Sequence, residues 1–440
     1  MDEAERIALA ERTLAHAGSG GLEVMVSARH SALTRFTHNA IHQNVDASDA
    51  TIRVRAVRGK QTGVATTNGT DADALRDVVA RAQALAHFAP ADDQTPELAG
   101  PQNYAPVETT AAATIGATER AAVARAMFDV AETNGYWSAG FVTNGTHGIT
   151  LASTAGLRAS YDATDCGANV KLNGPDATGF AEHHTFDARA IDGAALARRA
   201  AAKVAAGATP RALDPGTWTV ILEPAAFGEL IAYITDHFSA QSYDEGSSFL
   251  TGALGKPVFG TNVTIRDDYA HPLNPGQPFD FEGTPTQRIA LVENGIAQSI
   301  VTDTRYARAM HCSNTGHALP APNAYGPQPM NVVVEGGTKS TEQLIAETER
   351  GVLVTRLWYV RTIDQRATIV TGMTRDGTFL IENGRIVGGV RNMRFNQSIA
   401  EMLRDCELSL EQARTGSYAY SLVAPAAKIA RFTFSSTTAF

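Results

Sequence analysis

The chain has 440 residues, 44% of them hydrophobic and 19% charged, with 38 Gly, 18 Pro and 3 Cys, which describes a globular protein of two or three domains and excludes disorder. Lys and Arg number 37 against 46 Asp and Glu, a formal net charge of -9, so no basic surplus is present to neutralise a phosphate backbone and nucleic acid is not expected as a partner. Cys166, Cys312 and Cys406 form no CxxC pair and cannot build a disulfide framework. The acidic, amphipathic N-terminus and the absence of any stretch near the ~20 apolar residues of a membrane span point to the cytoplasm and away from membranes.

In chain order, Ala4, Ile7, Ala10, Leu14 and Ala17 recur at helical spacing and stop at Gly18, Gly20 and Gly21, which predicts an opening helix. From Leu22 the period becomes two, and it returns over Thr51–Ala56. With turns at His38-Asn39 and Arg58-Gly59-Lys60, residues 22 to 67 read as an antiparallel meander. Thr70 with Asp73 resembles a capping box for a helix with Leu75, Val78, Val79, Ala82 and Leu85 on its apolar face. Pro90, Pro96, Pro101 and Pro106 then mark a connection and a boundary near 110.

A second unit comes next: a helix over about 117 to 134, a strand pair through Phe141-Val142 and Ile149-Leu151, a strand into Cys166, and a helix over 193 to 206 after Asp192. From Trp218 onward strand patterns dominate, at Trp218–Leu222, Val263–Ile265, Ile289–Val292, Asn331–Val334, Val352–Val360, Thr368–Val370, Phe379–Ile381 and Lys428–Phe434. Asn294-Gly295, Asp376-Gly377 and Asn383-Gly384 supply turns, and the helix candidates are the stretch after Pro224 and Ile399 to Arg414. The expected fold class is α+β, with an N-terminal α/β-meander domain (1–110), a central α+β domain (111–210) and a β-rich C-terminal domain (211–440). No low-complexity tract or strong fixed-period repeat is visible.

Common signatures fail one by one. Gly18-Ser19-Gly20-Gly21 precedes a strand where a dinucleotide fingerprint must come after one, Gly255-Lys256 runs into Pro257, and neither GxSxG nor HExxH occurs. His38 and His42 lie on a strand-turn-strand pattern where i and i+4 do not converge. In Glu182-His183-His184, neighbouring side chains on a strand point to opposite faces. His311, Cys312 and His317 are the densest thiol–imidazole cluster, yet they supply only three ligands in a glycine-containing loop. Asp267-Asp268 with His271 reads either as a hard-cation site or, more plainly, as an acidic turn before Pro272.

Longer stretches carry a resemblance when read together. They are Gly216–Pro224 followed by Gly228-Glu229-Leu230-Ile231, Asp244–Leu250, Thr302–Ala307, Ser313–Gly316, Asn331–Gly337 and Val390–Ser398, joined by Thr34–Asn44 and Gly63–Asn68. In these the chain resembles the TldD/PmbA family, labelled modulators of DNA gyrase and regarded as metallopeptidase components, over nearly its whole length. The resemblance implies two kinds of subunit. In the catalytic TldD kind a helix carries HExxxH, two histidines and a later cysteine hold a divalent metal such as zinc, and the glutamate is general base. Aligned through Gly228 and Leu230-Ile231, the motif falls on Ala232, Tyr233 and His237, so only His237 is retained. The cysteine expected about Thr415-Gly416-Ser417-Tyr418 is absent, and Cys406 falls on a helical pattern as an ordinary buried thiol.

The chain therefore resembles the PmbA or TldE kind of subunit. The resemblance implies a heterodimer with a TldD-like catalytic partner that cleaves small, unfolded or modified peptides, with no catalytic residue and no metal in this chain and a zinc-like ion in the partner. Tyr233, His237, Asp244, Ser247, Ser248, Asn314 and His317 are the candidates for lining the peptide cavity. Two alternatives stay open: a self-sufficient enzyme that uses His237 with His311, Cys312 and His317, and a homo-oligomeric regulatory or binding protein. The acidic balance speaks against reading the gyrase label as direct DNA contact.

Overall fold

The computed structural model describes residues 1–18, 20–107, 114–416 and 421–438. The opening helix α1 spans Glu3–Leu14 and starts at a capping box, in which the Asp2 side chain accepts the Glu5 N–H and Glu5 Oε2 accepts the Asp2 N–H, both at 2.8 Å. Its buried face is rotated from the one expected. Arg6, Leu9, Ala10, Thr13 and Leu14 turn inward while Ile7 is exposed, because Arg6 reaches Asp162 at 2.7 Å beneath the helix and fixes its roll.

The meander is β1 (Gly21–Thr37), β2 (Ala40–Arg58) and β3 (Gln61–Thr67). His38 and Asn39 are both left-handed in the first turn, and Gly59 is left-handed in the second, as two-residue hairpin turns require. Helix α2 (Ala72–Phe88) covers the meander, capped by Asp71, which accepts from Asp73 and Ala74 N–H, and not by Thr70 as expected. Ala86 replaces Leu85 on its buried face, and Leu85 is exposed.

The next helix, α3, covers Ala117–Thr133. The strand pair expected at Phe141-Val142 and Ile149-Leu151 is one continuous strand, β4 (Trp137–Ser153). Asn144-Gly145, in its middle, makes no turn. A Cβ on Gly145 would stand 2.3 Å from the His30 carbonyl, so the glycine serves a close crossing with β1. Strands β5 (Arg158–Asn173) and β6 (Thr178–Thr185) and helix α4 (Gly193–Ala206, capped by Asp192) complete the N-terminal half.

All six strands form one antiparallel sheet, β3-β2-β1-β4-β5-β6. The order helix, three strands, helix occurs twice, and β1 pairs with β4 from Glu23↔Ser153 to Thr37↔Ala139. Residues 1–110 and 111–210 thus share one sheet, and the expected boundary residue, 110, lies outside the described residues.

The C-terminal half is β-rich, as expected. Strand β7 (Gly216–Leu222) leads into α5 (Pro224–Ala232), a short 3-10 turn (Thr235–Phe238) and α6 (Ala240–Asp244). Short strands β8 (Ile265–Asp267), β9 (Ile289–Glu293), β10 (Ile296–Ala297) and β11 (Val332–Val334), with α7 (Thr304–Ala309) and α8 (Thr341–Ala346), punctuate long turns. Long strands β12 (Arg350–Asp364) and β13 (Ile369–Glu382) come next, then β14 (Arg385–Gly389), β15 (Met393–Ser398), α9 (Ile399–Met402), β16 (Cys406–Gly416) and β17 (Ser421–Thr437).

Strand β7 pairs with both β12 and β17, so β7-β12-β13-β15-β17 close on themselves. Helix α5 lies against that ring, with Phe227, Leu230 and Ile231 in a core shared with Phe395, Phe432 and Phe434. Two expectations fail here. The helix expected over Ile399–Arg414 is one turn followed by β16, because Cys406–Leu408 and Gln412–Gly416 pair with β17 and strand pairing overrides the local apolar spacing. The turn expected at Asp376-Gly377 is an irregularity inside β13, where both residues take positive φ and Asp376 is held by Lys171 at 2.9 Å and Arg356 at 2.8 Å. That ion cluster ties the N-terminal sheet to the C-terminal half. No helix among the described residues is long and apolar enough to cross a membrane.

Candidate site at the degenerate histidine motif

Helix α5 starts with Pro224 at its first turn, behind Glu223, whose carboxylate accepts from Lys203 at 2.6 Å. Gly228 lets the helix settle on the C-terminal strands, since a Cβ there would stand 2.4 Å from Thr415 Oγ1. The regular helix stops at Ala232 and Tyr233 caps it, so Ala232, Tyr233 and His237 do not share one helix.

Each of these side chains is already committed. The Tyr233 hydroxyl donates to the Val360 carbonyl at 2.6 Å. His237 is 2% exposed, its ring lies 5.1 Å from that of Phe249, and Nδ1 accepts the Phe249 N–H at 3.2 Å. Burial pushes its pKa down, which favours the neutral ring. A neutral ring that accepts at Nδ1 carries its proton on Nε2. It therefore presents no lone pair to a metal, and with Ala232 and Tyr233 beside it the donor set does not fit a catalytic zinc, which takes three protein ligands and an open position.

Ser248 and Ser247 belong to the same neighbourhood. Ser248 Oγ donates to the His237 carbonyl at 2.7 Å and accepts from Leu250 N–H, and Ser247 Oγ donates to the Ser242 carbonyl at 3.2 Å. Asp244, the last residue of α6, is exposed at the edge. Asn314 and His317 are held by partners of their own. Asn314 Nδ2 donates to Thr304 Oγ1 at 3.1 Å, and the buried His317 sits between Thr315 Oγ1 at 3.0 Å and Asp267 Oδ1 at 3.3 Å. His311 and Cys312 are exposed while His317 is buried, and no group of three or more metal-ligating side chains converges among the described residues. Asp268 pairs with Arg288 at 2.6 Å, and His271 Nδ1 accepts the Leu273 N–H, so the acidic-turn reading describes that segment.

The cysteine position expected about Thr415–Tyr418 falls partly outside the described residues, from Ser417 on. Cys406 opens β16, not a helix, and burial pushes its thiol up to about 12, so it stays a packed thiol. A residue the sequence pattern did not single out is Glu229, one turn before Tyr233. Burial, with Glu182 on β6 adding to it against Arg356 and Arg361, pushes its carboxyl up to about 7. Beside the start of α5, a cavity of about 220 Å³ is lined by Glu182, His183, His184, Lys203 and Thr415. The signal was available in the Gly228-Glu229-Leu230 stretch, where a charged residue interrupts an otherwise apolar helix.

Residues 215–436, just over half of the chain, match the model of the PmbA/TldA metallopeptidase C-terminal domain, and residues 22–86 match metallopeptidase domain 1 of the same group. The chain belongs to the PmbA/TldD family. Metalloprotease PmbA of Escherichia coli O157:H7 is 27% identical over 217 residues, 48% of this chain and 44% of that protein, so the matched stretch spans less than half the length of that relative. TldE from Thermococcus kodakarensis shares the fold with a TM-score of 0.87 at 20% identity, covering 97% of this chain and 99% of that one. A Thermotoga maritima protein titled as a modulator of DNA gyrase does so at 0.85 and 18% identity, covering 98% and 100%. Helix α5 lies inside the matched C-terminal domain.

Proposed function

We propose that this PmbA/TldD-family chain is a non-catalytic subunit of a metallopeptidase complex, acting with a TldD-like partner that bears HExxxH and a zinc-like ion. The observation that carries the reading is the state of the motif: Ala232 has no donor, the Tyr233 hydroxyl is spent on Val360, and His237 accepts a backbone N–H where a ligand needs a lone pair. The TldE fold likeness supports it. In this role the chain completes a cavity for small unfolded peptides, with Tyr233, Glu229 and the Asp244–Ser248 loop as its contribution to the wall. The self-sufficient enzyme built on His237, His311, Cys312 and His317 gains no support, because those groups do not converge.

The test is purification of the chain alone and with the TldD-like protein of the same source, with metal analysis and an unstructured peptide as substrate. Cleavage and stoichiometric metal only in the mixture, lost when the partner's motif glutamate is replaced, is the expected result. Cleavage by this chain alone overturns the reading, as does failure of the two chains to associate.

A further inference from the structure

The two halves of the molecule enclose a cavity of about 290 Å³, between β4 and β5 of the N-terminal sheet and the turns that precede β9 and β11. Its wall is mainly apolar, with Ile149, Tyr161, Phe186, Phe279, Phe281 and Met330. The charged side chains around it are already matched. Asp165 pairs with Arg414 at 2.8 Å, and the Arg414 guanidinium also lies 4.3 Å from the centre of the Phe186 ring. Asp280 accepts backbone N–H groups from Glu282, Thr284 and Ala318. His317 faces Asp267 at 3.3 Å, and burial pushes the His147 pKa down, which favours its neutral ring.

Asn331 is the exception. It is 6% exposed and lines the same cavity, immediately before β11. Its backbone is fixed, with N–H donating to Asp267 Oδ2 at 2.9 Å and C=O accepting the Asp268 N–H at 3.0 Å. Its carboxamide has no hydrogen-bond partner among the described residues, although a buried polar group is nearly always bonded. The amide rests on Gly276, where a Cβ would stand 1.9 Å from Oδ1 and 2.9 Å from Nδ2, so the missing side chain of Gly276 leaves room for it. A carboxamide offers a donor and an acceptor side by side in one plane. A primary amide or lactam, with N–H and C=O on one edge, matches both at once. A trans peptide bond, with the two on opposite edges, does not.

We propose that this junction cavity binds a small neutral aromatic molecule carrying a primary amide or lactam, its ring against the apolar wall and its amide paired with the Asn331 carboxamide. At about 290 Å³ the space lies at the small end of ligand pockets, which suits a single ring with its substituent. The site is separate from the α5 motif and does not depend on the subunit role.

The test is calorimetric titration of the full chain with benzamide, with acetophenone as the isostere that lacks the amide N–H, and with benzoate as the charged one. Saturable binding of benzamide is expected, with acetophenone and benzoate each weaker by about tenfold or more, because neither matches both the donor and the acceptor of Asn331. Asn331→Leu keeps the volume and removes the amide, and is expected to bring benzamide down to the level of acetophenone. Ala163→Leu, on the wall of the same cavity, fills the space and is expected to weaken benzamide by about tenfold or more. No saturable binding of benzamide, equal binding of acetophenone or benzoate, or an unchanged preference in Asn331→Leu overturns the proposal. Should Asn331→Leu fail to fold, Ala163→Leu decides, and an unchanged benzamide affinity there overturns it.

Discussion

The two halves of the molecule bury charge differently. In the N-terminal half the buried charged groups are arginines with partners, and Glu23, one of those partners: Arg6 with Asp162, Arg55 with Glu23, and Arg120, which donates to Thr34, the Ile115 carbonyl and Asn144. In the C-terminal half the buried charged groups are carboxylates of two kinds: Asp376 is paired with Lys171 and Arg356 and Asp268 with Arg288, whereas the buried Asp280 and Asp303 and the half-buried Glu282 take backbone N–H donors without an ion pair, and the carboxyls of these three are pushed up. A fully partnered charge locks strands in register. An unpartnered carboxylate is an electrostatic deficit that a ligand or partner can relieve. The comparison casts the N-terminal sheet as scaffold and the C-terminal turns as the place where binding is to be sought.

The sharpest way to break that contrast is at Arg55. Arg55→Met leaves Glu23 buried at 7% exposure beside no cation, and the expected loss is about 3–5 kcal/mol, read as a fall in the urea midpoint. The double variant Glu23→Leu with Arg55→Met should recover most of it, because both charges then leave together. A single variant as stable as wild type would show that the N-terminal pairs are not what holds that half in place.

Glu229 probes the other half. Its carboxyl is raised from 4.5 to about 7 in the fold, so the folded state prefers the protonated form. Its contribution is fully present below about pH 4.5 and is lost as pH rises through about 7, a change of up to about 3 kcal/mol. Glu229→Gln should flatten the stability profile across that window. A profile that keeps its slope in the variant would place the pH dependence elsewhere, Asp280 being the next group with the same sign, raised to about 8.

Legibility in the sequence divides along the same line. The N-terminal strands and helices are legible because period two and period 3.6 alternate cleanly there, and the hairpin turns at His38-Asn39 and Gly59 stand where the sequence puts them. The failures are glycines and helices whose reason is tertiary. Phe141-Val142 and Ile149-Leu151 read as two strands but lie on the single strand β4, where Gly145 allows close pairing with β1, and Ile399–Arg414 reads as helix until β17 pairs with its second half. At the motif, the loss of two positions is plain in the letters Ala232 and Tyr233. The burial of His317 against Asp267, the left-handed bulge at Asp376 and the raised Glu229 depend on long-range packing that no local pattern carries.

Gly63 tests the scaffold by geometry instead of charge. Its Cβ would stand 2.2 Å from both the Ala82 carbonyl and the Ala86 nitrogen, so α2 sits on β3 only because the side chain is missing. Gly63→Val should cost about 1–3 kcal/mol through overpacking, measured by the denaturant midpoint. An unchanged midpoint would mean that α2 moves freely over the sheet.

The smallest expected effect separates two readings of one helix start. The sequence pattern assigns the α2 cap to Thr70, whereas Asp71 is the residue whose side chain accepts from Asp73 and Ala74 N–H, at 3.1 and 3.0 Å. Those donors pull its carboxyl below the ordinary value, so the ionised cap is present above the ordinary carboxylate range and is lost as pH falls below it. Asp71→Ala should lower the thermal midpoint at neutral pH by on the order of a degree, with a smaller difference from wild type in acid. Thr70→Ala should leave it unmoved. The reverse pattern would return the cap to Thr70, and with it the capping box that the letters alone favour.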